Sequence, residues 1–203
     1  MHTTISPFAL AYWKEKQPVG ATKFGWRGVS PELGDIHVVY PAGKDVPNLV
    51  VTEVTGSVIP SATFETRGVH TDVLSMPTLN RATLRVGGGL VRMSRNRWAP
   101  THGGRSLRMV YLGDVYRLKA INRRAYEVSR QGDSEDPGAV VTVRQSGLGS
   151  SRRMAVQAQG RVLPADVTIA VLFAGVDRSV LTRRGAVRAG FSRIFNFWAD
   201  SQA

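Results

Sequence analysis

The chain has no cysteine in its 203 residues, so neither a disulfide framework nor a thiolate metal site is open to it. Histidine is almost as scarce. The four present, His2, His37, His70 and His102, are scattered, and none has a second histidine or a carboxylate at metal-ligand spacing on a helix. His70, near Asp72, reads as a surface turn, and His102 as a solvated loop residue. Long apolar runs are missing too. The longest, Ile169 to Val176, falls far short of the roughly 20 residues a spanning helix needs. Residues 1–18 carry Lys14 and Glu15 and have no long apolar core, so they do not read as a secretory signal. These absences lead us to expect a cytoplasmic protein with no cofactor or metal, able to touch a membrane peripherally but not to cross it.

Lysine is the last shortage. Only five of the 27 basic residues are lysine: Lys14, Lys16, Lys23, Lys44 and Lys119. The rest are arginine, which forks onto phosphate or carboxylate and stacks on flat rings. The formal net charge is +12, and it is unevenly placed. Residues 1–80 hold six basic and seven acidic residues, whereas residues 81–203 hold 21 basic and eight acidic ones. A neutral half and a cationic half point to an anionic partner. Hydrophobic residues make up 42% and charged residues 21%, enough apolar material for a real core in one domain or two small ones.

Residues 1–47 are rich in breakers, including Pro7, Pro18, Gly20, Gly25, Gly28, Pro31 and Gly34. They read as a loop-rich lead-in with one short strand at Ile36 to Tyr40, pinned to the core by Trp13, Phe24 and Trp26. From Leu49 the texture is β. Strands are predicted at Leu49–Val54, Ser57–Phe64, Thr83–Val86, Leu90–Ser94, Ser106–Leu112, Val115–Ile121, Ala125–Arg130, Val140–Arg144 and Arg153–Ala158. Gly87-Gly88-Gly89 and Gly113-Asp114 mark hairpin tips. No segment between the strands has room for a crossover helix, so the sheet should be an antiparallel meander, closed or sandwiched.

Pro164 followed by Asp166 signals a helix start, and Val167 to Leu181 is apolar nearly all round. That predicts one buried helix over 165–181 with the meander around it. Residues 183–203 read as a short basic amphipathic helix, with Val187, Phe191, Ile194, Phe195 and Trp198 on one face. The expected fold class is therefore mainly β (α+β). It is divided into a loop-rich segment 1–47, a barrel-like domain 48–182 and a basic tail 183–203.

Arginine-dotted antiparallel strands ending in one hydrophobic helix resemble the Tubby C-terminal-like group, which includes the LURP-one-related proteins and the phospholipid scramblases. Thr83–Ser94, Arg105–Ile121, Arg123–Arg130, Val140–Arg144, Arg153–Ala158 and the 165–181 helix carry the resemblance, about half the chain. It implies a closed antiparallel barrel threaded by the helix. It also implies binding of anionic lipid head groups through basic residues on the barrel's exterior.

No catalytic constellation stands out. Gly87-Gly88-Gly89 is followed by strand rather than by a helix and a Lys-Ser/Thr pair, so it is not a phosphate loop. No Gly-x-Ser-x-Gly elbow occurs, and Asp133, Glu135 and Asp136 sit in a polar loop as exposed neighbours. The strong chemical signal is the basic set. The candidate anion-binding residues are Arg92, Arg95, Arg97, Arg108, Arg117, Lys119, Arg123, Arg124, Arg152 and Arg153, with Tyr111 and Tyr116 interleaved. Candidate membrane contacts are Arg184, Arg188, Phe191, Arg193, Phe195 and Trp198. The favoured function is a non-enzymatic binding module for anionic phospholipid head groups at a membrane surface. Two alternatives stand beside it. One is binding of nucleic acid or a ribonucleoprotein. The other is a structural subunit of a phage-like or other large assembly, joined to its partner or to further copies through the N-terminal segment.

Overall fold

A computed structural model describes residues 5–16, 22–40, 49–67, 76–95 and 106–181. Twelve strands form one closed antiparallel barrel. They are β1 (Phe8–Glu15), β2 (Lys23–Ser30), β3 (Gly34–Tyr40), β4 (Leu49–Gly56), β5 (Ala62–Arg67) and β6 (Ala82–Val86), followed by β7 (Gly89–Arg95), β8 (Leu107–Tyr111), β9 (Asp114–Ala120), β10 (Ala125–Arg130), β11 (Ala139–Ser146) and β12 (Arg153–Gly160). Each strand pairs with its neighbours in sequence, and β1 closes the ring on β12 through Phe8↔Val156 and Leu10↔Met154. Closure leaves no unpaired sheet edge.

Strict alternation sends one face of each strand inward. On β9, Tyr116, Leu118 and Ala120 are buried while Arg117 and Lys119 are exposed. The inward side chains meet α1 (Pro164–Leu172), which threads the barrel, so the interior is a packed core. Val167, Ile169, Ala170, Val171, Leu172 and Phe173 are fully buried. Phe173 meets Phe64 edge-on, with ring centroids 5.6 Å apart. Each large apolar side chain hidden this way contributes about 1.5–3 kcal/mol.

Two expectations need correction. The lead-in is not loop-rich, because the barrel begins at Phe8. β1 and β2 are full strands, paired from Ala11↔Arg27 to Glu15↔Lys23. The glycines that read as breakers in β2 permit close packing instead: a Cβ on Gly25 would run into the Val38 carbonyl, and one on Gly28 into the Ala9 carbonyl. The described part of the N-terminal segment is therefore wall, not a free arm. The helix is also shorter than expected. It stops at Leu172 and gives way to 3-10 turns at Phe173–Gly175 and Ser179–Leu181. Gly175 marks the break, and its position is tight. A Cβ there would lie 2.6 Å from Thr52 Cγ2 and 2.8 Å from Tyr40 Cδ1. The predicted amphipathic helix over 183–203 lies outside the described residues.

The up-and-down order gives the barrel two distinct ends. The near end, where α1 enters, carries the turns 31–33, 57–61, 87–88, 112–113 and 131–138. The hairpin tips there behave as predicted: Gly87 and Gly88 have φ of 53° and 79°, and Leu112 and Gly113 have 50° and 93°. The far end, where α1 points and the described chain stops at Leu181, carries the turn 121–124 and the connection 147–152. It also holds the strand termini Glu15, Lys23, Tyr40, Leu49, Arg67 and Arg95.

Candidate functional site

The near end is closed by a fully bonded polar group. Arg130, inward at the end of β10, donates from Nε to both oxygens of Asp166 at 3.1 and 3.3 Å, from Nη1 to Asp136 at 2.6 Å, and from Nη2 to the Arg161 carbonyl at 2.6 Å. Asp166 also accepts from the Tyr116 hydroxyl and from the Leu163 N–H that precedes α1. It thus serves as the reciprocal acid of the helix start and complements the positive end of the helix dipole. Burial pushes the Asp166 carboxyl up, opposed by the Leu163 N–H, the Arg130 charge and the Tyr116 hydroxyl. Asp136, expected to be a mere loop residue, is held below the ordinary carboxylate range by its bond from Arg130. The rim here is acidic, with Glu32, Asp35, Asp114, Asp133, Glu135 and Asp136, and the exposed bases are Arg85 and Arg161.

The far end reverses the sign. Lys14, Lys16, Lys23, Arg67, Arg81, Arg123, Arg124, Arg144 and Arg153 are exposed there, against Glu15 as the one exposed acid at that end among the described residues. Beside them on the outer wall, Arg108 stands directly opposite Arg117, and Lys119 is one outward position further toward the same end. Arg92 lies on the neighbouring strand β7, whose Ser94 faces Arg108. Among the described residues Arg92, Arg108 and Arg117 form no salt bridge, Lys119 stands across from Glu127 on β10 without one, and the salt bridges are those of Arg130. Like charges directly across two strands repel.

Of the ten candidate anion-binding residues, seven stand exposed on this wall and far end: Arg92, Arg108, Arg117, Lys119, Arg123, Arg124 and Arg153. Arg95 and Arg152 are half-buried. Arg95 donates to Asn80 Oδ1 at 3.0 Å, and Arg152 stacks 3.4 Å above the Tyr12 ring. Arg97 lies outside the described residues, as do the six candidate membrane contacts Arg184, Arg188, Phe191, Arg193, Phe195 and Trp198. Tyr111 and Tyr116 do not interleave with the arginines. Both point inward, bonded to the Val86 carbonyl and to Asp166.

Sequence reading groups Arg178 with the basic residues of the C-terminal region but does not make it a candidate site residue. It is buried at the far end, 8% exposed, with its guanidinium 4.1 Å over the Tyr126 ring. Nη1 donates to the carbonyls of Phe173 and Val176, while Nε has no acceptor. Burial lowers its pKa. The adjacent Asp177 turns its oxygens to the Ser179 N–H and hydroxyl instead. Its burial could not be read from the sequence, where Asp177-Arg178 stands as a charged break in the apolar stretch.

Among the described residues no three His, Asp or Glu side chains converge to hold a metal ion, and no helix is long and apolar enough to cross a membrane. Searches against protein-family models, curated proteins and solved structures return no match to the chain.

Proposed function

We propose that this protein is a non-enzymatic module that binds anionic phospholipid head groups at a membrane surface through its far end and the adjoining wall of β7 to β12. The carrying observation is the segregation of charge along the barrel axis. Acids collect around the near rim, bases around the far rim, and among the described residues Arg92, Arg108 and Arg117 of the wall form no salt bridge. Such an arrangement orients the molecule in the field of an anionic surface, each cation near that surface adding about 1 kcal/mol. The unrelieved Arg108/Arg117 pair fits the same reading, since a phosphate between two guanidinium groups converts repulsion into attraction. A closed barrel threaded by one helix also supports the resemblance to the Tubby C-terminal-like group, which we carry here as part of the proposal.

A second reading is favoured by one observation. The acidic near rim complements the basic far rim, which suits head-to-tail stacking of copies in an assembly. The inward placement of Tyr111 and Tyr116 takes two tyrosines away from the base-stacking surface that a nucleic-acid reading needs.

Sedimentation with phosphatidylcholine vesicles, with and without 20 to 30 mol% anionic lipid (about one lipid in four), tests the proposal. We expect binding only to the anionic vesicles, weakening steeply as salt rises. Equal partition to both vesicle types would refute it. Salt-sensitive growth of oligomers in the absence of lipid would favour the stacking reading.

A further inference from the structure

The far mouth of the barrel contains a second, more selective feature than its surface charge. We infer that Arg178, Arg152, Trp26 and Tyr40 form a binding site for a single phosphate group. The inference deepens the lipid-surface proposal by adding a head-group site, and it rests on that reading for the biological source of the phosphate.

Two buried donors at this end, Arg178 Nε and Trp26 Nε1, have no acceptor, and Arg152 stands over the Tyr12 ring that packs against Trp26. Arg178 spends one nitrogen on the carbonyls of Phe173 and Val176, and its buried Nε has no acceptor. The Trp26 side chain is 1% exposed, and its Nε1 lies near the Tyr40 hydroxyl without forming a well-aligned hydrogen bond. Arg152 uses only Nε, to the Gly149 carbonyl at 3.0 Å. The Tyr40 hydroxyl lies beside Trp26 and within electrostatic reach of both arginines. Ring contacts hold the group in place. Tyr12 packs edge-on to Trp26 at 5.7 Å and carries Arg152 on its other side, Phe24 packs edge-on to Tyr40 at 4.8 Å, and Tyr126 carries Arg178.

A buried indole N–H and a buried guanidinium N–H without acceptors are costly, because each has lost its water. The cost is heavier for a cation with no counter-ion. The near end shows that this chain does supply carboxylates where a buried arginine is structural. Here the adjacent Asp177 bonds Ser179, and among the described residues no carboxylate bonds the Arg178 guanidinium, which leaves its donors for a ligand. Two guanidinium groups, an indole and a phenol, each fixed by different elements of the wall and the helix end, suit the several oxygens of a tetrahedral phosphate better than a flat carboxylate. A phosphomonoester presents three such oxygens, and it reaches this mouth either on a lipid or free in solution.

Proton–nitrogen correlation spectra of the full chain read the site directly. The four tryptophans give four indole signals, and Trp26→Phe identifies its own by removal. Titrating inorganic phosphate should move the Trp26 signal downfield and saturably, while chloride at equal ionic strength should not. Arg152→Gln, a half-buried change that spares the core, should weaken that response about tenfold, and Arg178→Met should abolish it. A silent Trp26 signal, an equal response to chloride, or an unchanged response in Arg152→Gln would overturn the site. Vesicles separate the sources. Preference for phosphatidic acid over phosphatidylglycerol at equal charge, lost in Arg152→Gln, assigns the phosphate to a lipid. A saturable Trp26 response with no such preference assigns it to a soluble phosphate. Binding to both vesicles with Trp26 silent would leave the surface-charge proposal standing and remove this site. A Trp26 response without any vesicle binding would do the reverse.

Discussion

The two buried arginines of this barrel, Arg130 at the near end and Arg178 at the far end, are treated in opposite ways. Arg130 meets two carboxylates and a carbonyl, so its charge is matched within the fold. Arg178 meets two carbonyls and an aromatic face, and among the described residues no carboxylate bonds it, Asp177 acting on it only through space. Both are shielded from water by the same wall, so the difference lies in the partners. An acid beside a buried base closes an end, whereas a base without one is the feature on which the proposed phosphate site rests. The exposed residues repeat the pattern, acids around the Arg130 end and bases around the Arg178 end.

Changes to the helix that joins the ends should have the largest effect. Leu172 is fully buried between them. Leu172→Asp places a carboxylate where nothing can bond it and should cost more than about 4 kcal/mol, leaving no cooperative unfolding transition by circular dichroism. Gly175→Ala is a smaller insult at the far end only. Its methyl would press on Thr52 and Tyr40, which should cost about 1–3 kcal/mol in a urea melt. A drop in stability accompanied by loss of the phosphate response would tie that packing to the mouth.

Acid should then act on one end alone. Asp136 is held below its ordinary 3.8 by Arg130, Asp133 below 3.8 by the N–H groups of Asp136 and Glu135, and Glu32 below 4.5 by Ser6. A carboxyl with a depressed folded pKa stabilises the fold above its unfolded value, and that contribution is lost as pH falls through the folded value. The three lie at the near end, so the thermal midpoint should fall below about pH 4. The raised Asp166 works in the opposite sense. Asp133→Asn with Asp136→Asn should flatten the acid decline; an unchanged pH profile would show that these acids do not hold the near end. The smallest effect on stability is expected from reversing exposed far-end charge. Arg123→Glu, Arg124→Glu and Arg153→Glu together should each shift unfolding by no more than about 0.5 kcal/mol yet remove sedimentation with anionic vesicles. Asp133→Lys at the near end should leave sedimentation intact.

Much of the barrel was legible because its alternation is regular. β4 and β6 to β12 fall close to their predicted spans, since one face of each is apolar and the hairpins carry glycine at positive φ. β1 alternates just as cleanly, with Phe8, Leu10 and Tyr12 inward, but its neighbours Pro7 and Pro18 drew the reading toward loop. β2 was hidden because its glycines answer to the carbonyls of adjacent strands, a constraint that exists only once the sheet is assembled. The helix start was visible in Pro164 and Asp166, whereas its early end depends on Gly175 fitting against Thr52 and Tyr40. Of the exposed bases, Arg92, Arg108, Arg117, Lys119 and Arg153 follow strand parity, while Arg123 and Arg124 sit in the turn 121–124 and were found by the clustering of basic residues. The mouth of Arg178, Arg152, Trp26 and Tyr40 was not, because its members are distant in sequence and are brought together only by closure of β12 on β1.

Urea unfolding of Arg130→Met and Arg178→Met, measured side by side, bears most directly on the contrast between the ends. The near-end variant strands Asp166 in the core and should lose about 3–5 kcal/mol. The far-end variant exchanges a buried cation that no carboxylate bonds for an apolar chain of similar length and should stay within about 1 kcal/mol of the parent. Equal, large losses in both would contradict the account, for Arg178 would then be as much a structural residue as Arg130.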